Sequence, residues 1–111
     1  MNNLRNKVIL IGHLGVDPEV MVFDSGKKRV KLSLATSDNY KNANGDKVEQ
    51  TQWHNVVIWG KPADIAEKYL KKGSEVAIEG KLQYRSYDDK NGEKKYVTEI
   101  SASELVLVSK R

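Results

Sequence analysis

The stretch Thr51-Gln52-Trp53-His54-Asn55-Val56-Val57-Ile58-Trp59-Gly60-Lys61-Pro62-Ala63-Asp64-Ile65-Ala66-Glu67-Lys68-Tyr69-Leu70 changes its period once, at Gly60. Before Gly60 the residues alternate. His54, Val56 and Ile58 share one face and read as core; Trp53, Asn55, Val57 and Trp59 share the other. After Gly60, Ile65, Ala66, Tyr69 and Leu70 fall on one face of a helix. Pro62 suits the first helical turn and Gly73 suits the C-terminal cap. A strand therefore runs into one short helix.

Outward from this stretch the chain reads as strands cut by turns of Gly, Pro, Asn and Asp. Lys7 to Leu14 is aliphatic on both faces, as in a strand buried on two sides. Gly12 and Gly15 mark its bends, the devices by which a sheet curls into a barrel. Val16-Asp17-Pro18-Glu19 reads as a turn, and a short run from Val20 to Phe23 ends at Asp24-Ser25-Gly26-Lys27. Val30, Leu32, Leu34 and Thr36 then alternate with Lys31, Ser33, Ala35 and Ser37. Asp38 to Gln50 is polar, with a hairpin signal at Asn44-Gly45. Two long strands close the chain, Glu75 to Tyr87 and Lys94 to Val108, joined by Asp88-Asp89-Lys90-Asn91-Gly92-Glu93. Three strands, one helix and two strands are the plan of an all-β, five-stranded Greek-key barrel, the OB-fold, with a helix between strands three and four. The expectation is one domain over residues 1–111.

The chain has 111 residues and no cysteine, so disulfide and thiolate chemistry are excluded. The net charge of +4 and pI of about 9.2 favour a polyanionic partner, because Lys and Arg release counterions from phosphates. The N-terminus does not read as a signal peptide, and no apolar run approaches a membrane span. A soluble, cytoplasmic protein is expected. His13 and His54 lie on different strands, and no HxH, HExxH or cysteine pattern supplies a metal site. Gly12-His13-Leu14-Gly15 lacks the spacing of a phosphate loop. No enzyme activity, cofactor or metal is expected.

The informative pattern is aromatic. Trp53 and Trp59 point to one outer face, and large exposed apolar surface marks binding. Tyr40 opens the polar hairpin beside Lys41. Tyr87 ends a strand on the face of Lys81 and Arg85, with Lys90, Lys94 and Lys95 nearby. Rings interleaved with cations suit an unpaired nucleic acid strand: bases stack on the rings and cations follow the phosphates. A protein- or saccharide-binding surface would use the same outward aromatics. Tyr69 and Tyr96 are expected in the core, and Tyr84 shares the core-side parity.

Five blocks of the chain carry a resemblance. They are Asn6-Lys7-Val8-Ile9-Leu10-Ile11-Gly12-His13-Leu14-Gly15-Val16-Asp17-Pro18-Glu19, Leu34-Ala35-Thr36-Ser37, Thr51 to Lys61, Tyr69-Leu70-Lys71-Lys72-Gly73-Ser74 and Val76-Ala77-Ile78-Glu79-Gly80-Lys81-Leu82. In this order they resemble the bacterial single-stranded DNA-binding proteins. The resemblance implies a homotetramer of OB-folds around which single-stranded DNA wraps in replication, repair and recombination, in the nucleoid. It places base stacking on Tyr40, Trp53, Trp59 and Tyr87, and phosphate contacts on Lys7, Lys61, Lys72 and Arg85. Lys90 and Lys94 join these from the charge pattern. The family histidine falls on His54, near a subunit interface. Tyr40 and Tyr87 stand where many members carry Trp. The family's disordered segment and acidic tip are absent after Val108-Ser109-Lys110-Arg111, so recruitment of partners through a tail is not expected. The alternatives within reach of the sequence are a primosomal-type OB-fold replication protein, a dimer, and an OB-fold protein-interaction module.

Overall fold

The structure is a computed structural model that describes residues 4–108. The N-terminal residues 1–3 and the expected tail-less end, Ser109 to Arg111, lie outside the described residues. A short 3-10 turn, Leu4–Asn6, leads into β1 (Val8–Leu14), β2 (Glu19–Val22), β3 (Lys28–Lys41) and β4 (Lys47–Trp59). The helix α1 (Lys61–Tyr69) follows, then β5 (Glu75–Asp88) and β6 (Lys94–Leu107).

The sheet closes on itself. β1 pairs with β5, β5 with β6, β6 with β4 in parallel, β4 with β3, and β3 with β1 again. This is the expected five-stranded OB barrel, with its helix between the third and fourth barrel strands. β2 is an additional short strand, hairpinned onto β3 with Val20 opposite Val30. Closure requires β1 to cross β3 at very short range. A Cβ on Gly12 would lie 2.2 Å from the Ala35 carbonyl oxygen, so only glycine fits there. Gly80 plays the same part at the β5–β6 bulge, where a Cβ would lie 2.2 Å from the Ser101 carbonyl oxygen.

The core follows from alternation. Val30, Leu32 and Leu34 from β3, Val56 and Ile58 from β4, and Val76 and Ile78 from β5 are buried together with Leu14, Ile100 and Ala102. Ala63, Ala66 and Leu70 of the helix segment close one end of the barrel. Of the expected helix face, Ala66 and Leu70 are buried, and Ile65 and Tyr69 are corrected. Ile65 and Tyr69 are exposed, because the stripe at 63, 66 and 70 faces the barrel and two alanines let the helix sit close. The helix also stops before Gly73. Leu70 takes an extended conformation, with its N–H donating to the Ala66 carbonyl. Gly73 (φ +90°) instead forms a separate turn whose N–H donates to the Leu14 carbonyl.

Outside the barrel stand two hairpin arms; the β5–β6 arm has nearly the expected bounds, whereas the β3–β4 arm extends further than alternation suggested. The polar stretch from Asp38 to Gln50 is mostly strand: Asp38 pairs with Gln50 and Tyr40 with Val48. Ladder hydrogen bonds and a tight loop, continued from the barrel strands, form this ribbon without a buried face. In that loop the Asn42 N–H donates to the Asp46 carbonyl, and the Asn42 side-chain oxygen accepts from the N–H groups of Asn44 and Asp46. The β5–β6 arm closes in the same way on Asp89. Both faces of the arms are largely bare, so Tyr84 and Tyr96 are exposed, contrary to their expected core placement for Tyr96. Tyr69 likewise lies outside the core. Strand β1 also differs from expectation. Its inner residues pack on the core, whereas Ile9 and Ile11 are 63% and 58% exposed, because no element among the described residues covers that face.

Leu32 is 1% exposed at the centre of this core. Leu32→Ala is expected to lower unfolding free energy by about 2–5 kcal/mol, the range for buried leucine truncation. Urea denaturation followed by circular dichroism measures it; a loss under about 1 kcal/mol would place the packing centre elsewhere.

Candidate nucleic-acid interface

Four outward aromatics define the site, and each is held differently. Trp53 sits in β4 opposite Ala35 and is 60% exposed. The benzo edge of its indole lies against Gly15, where a Cβ would come within 2.5 Å of Cζ3 and 2.7 Å of Cη2. Gly15 does not have a positive φ, so its backbone does not demand glycine. What demands it is the indole. The residue expected as a barrel bend is thus also the seat of Trp53.

Trp59 ends β4, opposite Arg29 of β3, and is 43% exposed. Phe23 stacks on it, with ring centroids 5.6 Å apart and planes 21° apart. Parity and spacing alone do not find Phe23, because it follows a short strand whose pairing they leave open. The hairpin at Asp24-Ser25-Gly26 is the available signal: it sets Phe23 against the start of β3, whose Arg29 faces Trp59. Trp53 and Trp59 are six residues apart on one strand, roughly 20 Å at strand rise.

Tyr40 and Tyr87 ride on the two arms, each about half exposed, opposite Val48 and Lys95 respectively. Among the described residues no two of Tyr40, Trp53, Trp59 and Tyr87 are in ring contact; Phe23 with Trp59 is the one stacked pair. The four rings are therefore separate platforms along the outer surface rather than one cluster.

The cations divide into paired and open ones. Lys7, just before β1, pairs with Glu79 at 3.3 Å. Arg85 pairs with Glu99 at 3.2 Å, and Glu99 is only 7% exposed. The hydrogen bond that Arg85 donates to that carboxylate raises the Arg85 pKa above its ordinary value. Arg85 thus neutralises a buried acid as well as standing on the Tyr87 face. Lys95, opposite Tyr87, leans between Asp89 and Glu93 at 3.9 and 3.6 Å. Lys94 faces Asp88, which by strand parity puts it on the side of the arm opposite Tyr87. Lys90 stands exposed at the tip of that arm. Lys61 opens α1 and lines a groove with Trp59, Gly60 and Lys27. Lys72 is held elsewhere: its N–H donates to Asp17, and it lines a second groove with His13, Tyr69 and Leu107.

His54 is half-buried between strands, opposite Leu34, with its Nε2 3.0 Å from the Thr36 hydroxyl oxygen. Among the described residues no three His, Cys, Asp or Glu side chains gather where they could hold a metal ion. The arrangement offers rings and cations on a rigid barrel face and two arms, which is the equipment of an OB-fold polyanion binder.

Comparison with known proteins agrees with this class. The model of the single-strand binding protein family matches residues 5–108, and the chain belongs to that family. It is 53% identical over 104 residues to single-stranded DNA-binding protein 1 of Chlorobaculum tepidum, covering 93% of this chain and 64% of that protein. It is 44% identical over 107 residues to single-stranded DNA-binding protein 1 of Xylella fastidiosa, covering 96% of this chain and 79% of that one. The Plasmodium falciparum single-strand binding protein, solved in complex with single-stranded DNA, superposes with a TM-score of 0.85 at 30% identity, covering 98% of this chain and all of that one. A deletion mutant of the Thermus aquaticus single-stranded DNA binding protein superposes with a TM-score of 0.83 at 31% identity, covering 96% of this chain and 51% of that one.

Gly15→Val is expected to push the Trp53 indole off its seat. In a Trp59→Phe background Trp53 is the sole tryptophan, so its emission reports the move. A shift to longer wavelength, with the thermal midpoint little changed, is the expected outcome. An unchanged spectrum would mean that the indole does not rest on Gly15.

Proposed function

We propose that this chain binds single-stranded DNA without regard to sequence, protects it during replication, repair and recombination, and catalyses nothing. The observation that carries this reading is the set of half-exposed rings Trp53, Trp59, Tyr40 and Tyr87 on the outer surface of a barrel of this family. Every base has a stacking face, so rings bind without reading sequence. Lys61, Lys72 and Lys90 supply charge for phosphates directly. Lys7, Arg85 and Lys94 serve there by exchanging or sharing their carboxylate neighbours with the nucleic acid. The curated relatives' names and the Plasmodium complex support the same partner.

The working form in this proposal is a homotetramer in the cytoplasm, on the nucleoid. Support comes from β1. Ile11 faces outward opposite Ala77 of β5, which lies opposite Val106 of β6, and the exposed Ile9 lies opposite Glu79. Along Val8 to Gly12 the far edge of β1 has no partner strand among the described residues. A bare apolar face on an open edge strand is a surface for a second copy. His54 is assigned to a neighbouring part of that assembly. Among the described residues no helix is long and apolar enough to cross a membrane.

Titration with a mixed-sequence single-stranded oligonucleotide is expected to quench tryptophan emission, and the matching duplex is expected not to. Affinity should fall as salt rises, because phosphate contacts release counterions. Trp53→Ala should weaken binding by about 1–3 kcal/mol, the range of one base–ring stack in OB-fold single-strand binders generally. Equal response to both DNAs would remove the function, and unchanged affinity in the variant would remove Trp53 from the site. Sedimentation separates a tetramer from the dimer of a primosomal-type protein.

A further inference from the structure

Arg29 sits at the end of the barrel where the β2–β3 hairpin meets the close of β4. Its Cζ lies 5.6 Å from the centroid of Phe23, the ring that stacks on Trp59. Its Nη2 reaches only the Met21 sulfur, at 3.6 Å, and its Nε is buried with no hydrogen-bond partner. A thioether is a weak acceptor, and a guanidinium cannot shed its proton. What a ligand can reach are the terminal nitrogens, which have no oxygen acceptor among the described residues, and a phosphate oxygen is a strong one. The carboxylates nearby are committed elsewhere: Lys28 holds Asp64 at 2.9 Å and also Glu67. No carboxylate pairs with Arg29 among the described residues. The open groove beside Trp59 is lined by Lys27 and Lys61, and by Asp64 in its pair with Lys28.

A half-exposed indole with one face covered, a guanidinium short of an acceptor, and open lysines together fit a ligand that pairs a flat ring with an anion. A nucleotide unit is that ligand. We propose that Phe23, Arg29 and Trp59 form one nucleotide subsite. The uncovered face of Trp59 takes a base, Arg29 takes the adjoining phosphate, and Phe23, which touches both, fixes their relative position. Guanidinium on an aromatic face is a favourable and orienting contact, and lysine does not reproduce it. This inference rests on the single-stranded DNA reading and adds Phe23 and Arg29 to it.

The test is equilibrium binding of a thymidine oligonucleotide to the full chain across a salt series, for the wild type and for Arg29→Gln, Arg29→Lys, Phe23→Leu and Lys68→Gln. Arg29→Gln is expected to weaken binding about tenfold and to reduce the slope of log affinity against log salt by about 0.7, one phosphate contact on a single strand. Arg29→Lys should keep the slope and lose part of the affinity. Phe23→Leu should weaken binding several-fold in the wild type and not in a Trp59→Ala background. Lys68→Gln, on the helix, controls for net charge and should leave the slope unchanged. Thermal midpoints identify a variant that has lost its fold, and Arg29→Lys then decides the matter through the retained slope. If the wild type binds but Arg29→Gln matches it in affinity and slope, or if Lys68→Gln loses as much, the subsite is overturned and the proposed function stands. If the wild type does not bind the oligonucleotide, both are overturned.

Discussion

Closure of the sheet at the crossing of β1 over β3 is the constraint on which the molecule depends. The ring of strands can close only if two backbones approach within contact of a missing Cβ, at Gly12 against Ala35. Once closed, alternate residues of every barrel strand point into one shared interior, and Leu32, Leu34, Val56, Ile58, Val76 and Ile78 fill it. The same alternation then forces Trp53 and Trp59 outward. The interior and the binding surface are two consequences of one geometric condition.

How much of this was legible in the sequence depended on whether a residue's fate is set by its neighbours in the chain. Strand order, the single helix and most of the inward set of β3 and β4 could be read, because parity within one strand decides them; Val57, on the outward parity of β4, is buried all the same. The outward placement of Trp53 and Trp59 could be read for the same reason. The helix face is legible at Ala66 and Leu70 but not at Ile65 and Tyr69: Ala63 takes the inward place, because closeness of approach, not hydrophobicity, selects it. Tyr96 was misplaced because parity continues along a strand after the barrel has ended. Phe23 and the seat at Gly15 depend on contacts between strands that no local period encodes.

Electrostatics sorts the basic residues in a way composition cannot. A net charge of +4 does not say which cations are free. Arg85 faces a nearly buried Glu99, so removing it would leave a carboxylate with little water around it. Lys28 is shared by two acids of the helix and ties α1 to the β2–β3 hairpin. Lys61 enters no ion pair among the described residues. A polyanion arriving at this surface meets open charges first, and gains the paired ones only by displacing acids.

The aromatic platforms also fall into two mechanical kinds. Trp53 and Trp59 stand on strands whose other face is the packed interior, so their positions are fixed before any partner arrives. Tyr40 and Tyr87 stand on two-stranded ribbons with both faces bare, held by ladder bonds and a loop at the tip. Isolated ribbons of that kind are marginal in water, and regions with few buried contacts open most readily. A partner gripped by the barrel therefore finds a surface already shaped, while the same partner gripped by the arms must first quiet them. The conformational entropy so lost is a cost that the barrel contacts do not carry. In the proposed function, grip at the centre of the molecule is therefore preformed, and grip at its periphery is compliant.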